Sequence, residues 1–149
     1  MSTFFSELMD NRIFWAAITS WAAAQIIKVI IELFRTKKIN LTLIFSSGSM
    51  PSSHTSFVMA LTSSVGFKYG FDSVYFAISS AISLIVMYDA QGVRRAAGKQ
   101  AEIINIMLEN IENTGIKLDR KLKELLGHSP IEVVFGAILG VIVAIIFNR

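Results

Sequence analysis

Apolar residues are grouped in four stretches of the chain, separated by short polar segments. These stretches cover residues 11–34, 53–69, 74–88 and 130–147. The first and last are close to or above the ~20 residues that a helix needs to cross a ~30 Å hydrocarbon layer, and the second is of marginal length. The pattern predicts an all-α fold, a polytopic membrane helical bundle of about four apolar segments. A turn at 70–72 should separate the second and third helices, with Asp72 or Ser73 as the cap.

A polar insertion, about 89–127, precedes the last apolar segment. Apolar residues recur at helical spacing over 104–111 and again over 118–126, which predicts two short amphipathic helices broken near 113–115. The simplest interpretation is that these helices pack on the surface of the membrane domain. We expect residues 1–149 to form a single membrane-embedded domain.

Composition supports a membrane protein and limits the available chemistry. Hydrophobic residues make up 53% of the 149 residues and charged residues only 17%. Cysteine is absent, which excludes disulfides, thiolate metal sites and a cysteine nucleophile. The net charge of +3 comes without a long basic stripe, so nucleic acid is not an expected partner, whereas anionic lipid or phosphate is.

Successive membrane helices alternate in direction, and this brings the unusual polar residues to one membrane face. The end of the first segment, the start of the second, the end of the third and the start of the fourth must share that face. The polar groups at these four places are Arg35, 51–54, 89–95 and 128–132. Independent apolar helices would have no reason to concentrate polar residues in this way, so we expect one site.

Pro51, Ser52 and Ser53 mark the start of the second helix, with proline predicted in its first turn. Hydroxyl groups and unpaired N–H groups at a helix N-terminus bind anions, because the helix dipole is positive there. We call Lys28, Ser52, Ser53 and this helix start the cradle. His54 lies one residue further on, where a hydrogen-bonded structural histidine is the alternative interpretation.

Basic residues lie on the segments that neighbour this helix start. Lys28 and Arg35 are nearly two helical turns apart, so they point the same way, with Lys28 about 10 Å deeper. A lysine that extends to the membrane surface would explain Lys28 equally well. Arg94 and Arg95 point about 100° apart, so one of them could reach the site, with Asp89 as the salt-bridge partner that positions it, or both could be surface charges.

The start of the last segment combines a cap with a histidine. Ser129, Pro130 and Glu132 have the spacing of a capping box, in which the glutamate closes the helix start. Glu132 also lies four residues after His128, close enough to orient the imidazole and stabilise its charged form. The two carboxylate oxygens could serve both purposes.

The motifs Pro-Ser-Ser-His at 51–54 and Gly-His-Ser-Pro-Ile-Glu at 127–132 resemble those of the type-2 phosphatidic acid phosphatase superfamily, which includes the vanadium haloperoxidases. The short divergent membrane branch of that superfamily is the most similar. Lys28 and Arg35 reproduce the spacing of its first motif. Ser53 replaces a glycine, Thr36 a proline and Glu132 an aspartate, and Leu122 stands where the family has an arginine, a charge that Arg94 or Arg95 could supply.

The resemblance implies a helical membrane phosphatase with no metal or other cofactor, acting on a lipid phosphate or diphosphate. His128 would be the nucleophile, oriented by Glu132, and His54 the general acid and base. The implied phosphate-binding residues are Lys28, Arg35, Ser52, Ser53 and one of Arg94 and Arg95. The alternatives are a non-catalytic protein of the same fold that binds phospholipid or phosphate, and a purely structural membrane component.

We expect the protein to lie in a bacterial cell membrane. The distribution of basic residues predicts its orientation there. Six of them lie on the face of the site: Arg35, Lys37, Lys38, Arg94, Arg95 and Lys99. The opposite face carries a mixture of charges, so the positive-inside rule predicts a site facing the cytoplasm and both termini outside. So small a number of helices is also compatible with a homodimer.

Overall fold

A computed structural model describes residues 2–37, 49–112 and 129–149, which form six α-helices and no strand. The helices are α1 (Ser2–Met9), α2 (Arg12–Thr36), α3 (Ser53–Tyr69), α4 (Val74–Gln91), α5 (Val93–Glu112) and α6 (Pro130–Phe147). The all-α fold predicted from the sequence is confirmed. Helix α1 lies outside the predicted apolar segments and is tied to α2 by a hydrogen bond from Trp15 Nε1 to the Leu8 carbonyl.

Short polar side chains set the starts of the long helices. Asn11 caps α2 by accepting the Phe14 N–H at 3.1 Å, and Ser73 caps α4 by accepting the Phe76 N–H at 3.2 Å. Of the two caps considered for α4, Ser73 is therefore the one used. Gly70 precedes it at φ 91°, a backbone conformation that favours glycine.

Helix α3 begins at Ser53, as the apolar stretch predicted, but Pro51 does not lie in its first turn. Pro51 lies outside the helix, before the N-cap Ser52, and the Met50–Pro51 peptide bond is cis. Ser52 takes the cap position because its hydroxyl accepts the Thr55 N–H, whereas a proline in that place has no side-chain acceptor. The prediction that Pro51 occupies the first turn is wrong.

Three stretches are long and apolar enough to cross a membrane: Arg12–Thr36, Val74–Glu109 and Pro130–Phe147. The predicted second span, α3, has 17 residues and a length of about 25 Å. It is rich in serine and threonine, most of which are buried. These features suit an inner helix surrounded by the others, so the predicted count of four spans is approximate.

Helix α3 lies at the centre of the bundle and contacts α2, α4 and α6. It is antiparallel to α2 and α4 and parallel to α6. The hydroxyls of Ser20 and Ser56 lie 2.5 Å apart between α2 and α3, and those of Thr62 and Ser83 lie 2.7 Å apart between α3 and α4. Polar pairs of this kind hold membrane helices together where burial of apolar surface provides little driving force.

Two glycines let α6 approach the backbone of α3. A Cβ added at Gly136 would lie 2.5 Å from the Ser52 carbonyl oxygen, and one added at Gly140 would lie 2.6 Å from that of Ser56. Glycines four residues apart on an apolar helix are a common means of close packing in membranes. This contact fixes how the starts of α3 and α6 meet.

The polar insertion begins later than predicted. Helix α4 runs three residues beyond Tyr88, to Gln91, and α5 continues from it after Gly92. The Ala96 N–H donates to the Gly92 carbonyl at 3.0 Å, so hydrogen bonding carries on across the junction. Helix α5 ends at Glu112, close to the predicted break, and the predicted helix at 118–126 lies outside the described residues.

Candidate functional site

Three helices that are separate in sequence meet at one end of the bundle. The Ser52 N–H donates to the Glu132 carbonyl at 2.9 Å, which joins the start of α3 to the start of α6. Lys28 Nζ donates to Ser53 Oγ at 3.3 Å, which joins α2 to the same place. The described structure thus brings together Lys28, Ser52, Ser53 and Glu132, all of them residues singled out from the sequence.

Lys28 is the most unusual residue of the cradle, because only 1% of its surface is exposed. A charged group inside a membrane helix is expensive unless it faces protein partners or water. Its ammonium group has the Ser53 hydroxyl as a hydrogen-bond acceptor and is attracted by the Glu132 carboxylate. Lys28 therefore points into the bundle and does not extend to the membrane surface.

Ser52 holds the helix start together. Its hydroxyl accepts from the Thr55 N–H at 3.4 Å and from Thr55 Oγ1 at 3.1 Å, and both residues are fully buried. The Ser52 N–H is engaged by Glu132, so an anion in the cradle would meet the Ser52 hydroxyl hydrogen and the N–H of Ser53, which lies in the first turn. The sequence pattern did not single out Thr55.

Glu132 forms the predicted capping box. Ser129 Oγ accepts the Glu132 N–H at 3.3 Å, and the Ser129 N–H donates to Glu132 Oε2 at 3.1 Å. One carboxylate oxygen thus closes the start of α6, and the same carboxylate attracts Lys28. This arrangement accounts for Glu132 as a cap and also places its charge at the cradle.

His54 and Arg35 lie near the cradle but differ in exposure. His54 follows Ser53 in the first turn of α3 and is half-buried, with a buried Nδ1. Arg35 is exposed in the last turn of α2, and no hydrogen bond or ion pair among the described residues links it to the cradle. The predicted difference in depth between Lys28 and Arg35 is consistent with these exposures.

Three predicted site residues, His128, Arg94 and Arg95, fall partly or wholly beyond this description. His128 lies outside the described residues, as does Leu122, which stands in the place of the family arginine. Arg94 and Arg95 lie in the first turn of α5, which follows α4 at the cradle end, and their side chains are not among those described. Their assignments remain predictions.

Gly136 is a site residue that the sequence analysis missed. Its lack of a side chain lets the Ser52 carbonyl approach α6, and this contact supports the hydrogen bond between Ser52 and Glu132. The signal was present, because Gly136 and Gly140 are four residues apart in an apolar helix.

The geometry of the cradle suits an anion at the membrane face. A buried ammonium group, hydroxyl donors and a helix N-terminus converge on one place, and each favours negative charge. The cradle residues are almost completely buried, and the lower dielectric constant of a buried site strengthens these electrostatic interactions. A phosphate group on a membrane lipid has the charge and the location that such a cradle would accommodate.

Comparisons with known proteins bear on the family to which the whole chain belongs. The model of a family described as "Divergent PAP2 family" matches residues 9–143. The membrane protein YuiD of Bacillus subtilis (strain 168), which is described as uncharacterized, is 38% identical over 151 residues, covering 94% of this chain and 96% of that protein. No solved structure matches the chain.

Proposed function

The chain belongs to the divergent PAP2 family, and on that premise we propose that it is a lipid phosphatase that cleaves a lipid phosphate or diphosphate without a metal ion. The observation that carries the proposal is the convergence of the buried Lys28 ammonium, the Ser53 hydroxyl and the start of α3. These groups form an anion site on a face that both predicted catalytic histidines share by helix alternation.

In the proposed reaction, an imidazole nitrogen of His128 attacks the terminal phosphorus while the bond from that phosphorus to the leaving oxygen breaks. His54 gives a proton to that oxygen, so a phosphohistidine remains. The leaving group is the lipid alcohol when the substrate is a lipid phosphate and the lipid monophosphate when it is a diphosphate. His54 then takes a proton from water as the water oxygen attacks phosphorus. The phosphorus–nitrogen bond breaks, and phosphate and free His128 are released.

The cradle would stabilise the charge that develops on the phosphate oxygens. Lys28 and the donors at the start of α3 are fixed in place before the substrate arrives, so little reorganisation is needed as the reaction proceeds. Arg35 and one of Arg94 and Arg95 would add positive charge from the ends of their helices. Glu132, which lies four residues after His128 in the sequence, would orient its imidazole.

A second candidate function is supported by two substitutions in the family motifs. Leu122 stands where the family has an arginine, and Ser53 stands in the glycine position and accepts the hydrogen bond of Lys28. Both changes favour a protein that binds phospholipid or phosphate in the cradle without turning it over. The two functions share the cradle and differ in the role of His128.

The test is phosphate release from a panel of lipid phosphates and diphosphates by purified protein in detergent with EDTA. We expect wild-type protein to release phosphate and His128→Ala and His54→Ala to lose release. Lys28→Met should lose release as well, while Lys68→Met, an exposed lysine at the other end of α3, should keep it. Folded wild-type protein that binds a lipid phosphate through Lys28 but releases nothing from any substrate would favour the binding function.

We also propose that the cradle faces the cytoplasm, because six basic residues lie at this end of the helices. The absence of native cysteine makes a direct test simple. In intact cells, a membrane-impermeant maleimide should label a cysteine placed at exposed Asp72 and should leave one at exposed Ser49 unlabelled. The reverse labelling would place the cradle outside the cell. A homodimer is a further proposal, for which cross-linking in native membranes is the appropriate measurement.

A further inference from the structure

A narrow apolar groove of about 200 Å³ follows the seam between α2 and α6. Helices α2 and α6 form its two walls, and residues 50–51, which lead into α3, complete the lining. The lining residues are Ile27, Ile31, Met50, Pro51, Phe135, Ile138, Leu139 and Ile142. Every one of these side chains is apolar, so the groove offers no hydrogen bond to a headgroup.

One end of the groove adjoins the cradle. Pro51 forms part of the wall and is bonded directly to Ser52, and Ile27 precedes Lys28 on α2. From there the α6 wall runs from Phe135 to Ile142, about 10 Å further along the helix. Because α6 starts at the cradle end, this direction leads toward the middle of the membrane.

The groove is open to the lipid phase along its length. Ile31, Ile138 and Ile142 line it and are exposed on the outer surface of the bundle. Its volume is below the roughly 300–1,000 Å³ of sites that enclose a whole drug-sized molecule. A segment of a single hydrocarbon chain, entering sideways from the bilayer, matches both the size and the lining.

We propose that this groove holds a hydrocarbon chain of the lipid whose phosphate lies in the cradle, an inference that rests on the proposed function. Bilayer lipid is as apolar as these side chains, so moving a chain into the groove gains little from the hydrophobic effect. The groove contributes by shape: it holds the first part of the chain in one direction and so sets the phosphate position above Lys28.

Photolabelling tests the groove without requiring catalysis. Phosphatidic acid with a photoreactive group on one acyl chain, and the matching diacylglycerol, are each incorporated into vesicles with the protein. The ratio of label on Ile138 and Ile142 to label on Ile78 and Ile82 of the outer face of α4 is then measured by mass spectrometry. We expect a ratio several-fold higher for phosphatidic acid, and we expect Lys28→Met to remove the difference. Equal ratios for the two lipids would overturn the groove assignment.

A hydrolysis assay is the second test, and it uses a closely matched pair of variants. Ile142 and Ile82 are both 48% exposed, and only Ile142 lines the groove. Ile142→Trp should lower kcat/KM at least five-fold for a long-chain lipid phosphate and leave a short-chain, water-soluble analogue unchanged, whereas Ile82→Trp should affect neither.

Together the two tests distinguish failure of the groove proposal from failure of the proposed phosphatase function. An equal loss on both substrates in Ile142→Trp would contradict a chain-binding role. Phosphate-dependent labelling of the groove in a protein that hydrolyses nothing would support the groove and overturn the phosphatase. Hydrolysis with no phosphate-dependent labelling would support the phosphatase and overturn the groove.

Discussion

Gly136→Ala tests whether the close contact of α6 with α3 positions the cradle. The new Cβ would lie 2.5 Å from the Ser52 carbonyl oxygen, whereas ordinary contacts begin near 3.4 Å, so the helices must separate by about 0.9 Å. A shift of that size along the 2.9 Å bond from the Ser52 N–H to the Glu132 carbonyl would take it beyond hydrogen-bond range. Overpacking costs about 1–3 kcal/mol, and the better helix propensity of alanine offsets about 1 kcal/mol.

We therefore expect Gly136→Ala to lower the free energy of unfolding by up to about 2 kcal/mol, measured by equilibrium unfolding in mixed micelles. Lipid phosphate hydrolysis should fall at least ten-fold, because a misplacement of about 1 Å in a catalytic site can cost about a hundred-fold in rate. Gly92→Ala is the control, since its Cβ would lie 3.2 Å from the Tyr88 carbonyl oxygen and would require a shift of only about 0.2 Å, so it should change both quantities much less. If Gly136→Ala matched wild type in stability and activity, the contact would not position the site.

Two further predictions follow from the caps and the interhelical hydroxyls. Ser129→Ala and Ser73→Ala each remove an N-cap and should each lower stability by about 1 kcal/mol in the same unfolding assay. Only Ser129→Ala should also reduce hydrolysis, because its cap includes Glu132. Equal hydrolysis by the two variants would contradict this prediction. A double-mutant cycle with Ser20→Ala and Ser56→Ala should give a coupling energy of about 0.6 kcal/mol, which is typical of hydrogen bonds between membrane helices. A coupling energy near zero would show that this pair does not hold α2 against α3.

Much of the architecture could be predicted from local sequence signals. The apolar stretches predicted the bounds of α3 and α6, and the spacing of Ser129 and Glu132 predicted the capping box. These features depend on residues close together in the chain, so the sequence contains nearly all the information that they need. The prediction that Pro51 lies in the first turn failed, because the hydroxyl of Ser52 caps the helix and Pro51 precedes that cap.

Predicting the candidate site required both the local sequence patterns and the tertiary structure. Helix alternation in a membrane was enough to predict that Lys28, Ser52 and Glu132 share one face, because a spanning chain has only two directions. Whether Lys28 extends to the surface or turns inward depends on which partners lie beside it, and those come from α3 and α6. Sequence alone left both possibilities open, and the buried ammonium of the structure decides between them.

Local sequence patterns are enough to establish a helical, membrane-spanning chain with polar residues at one end, since hydrophobic periodicity and the need to satisfy backbone groups in lipid leave few other solutions. How closely the helices approach one another depends on the tertiary structure. Gly136 against the Ser52 carbonyl and the groove between α2 and α6 arise from side chains that are far apart in the chain, and their fit depends on sub-ångström packing that no local pattern records.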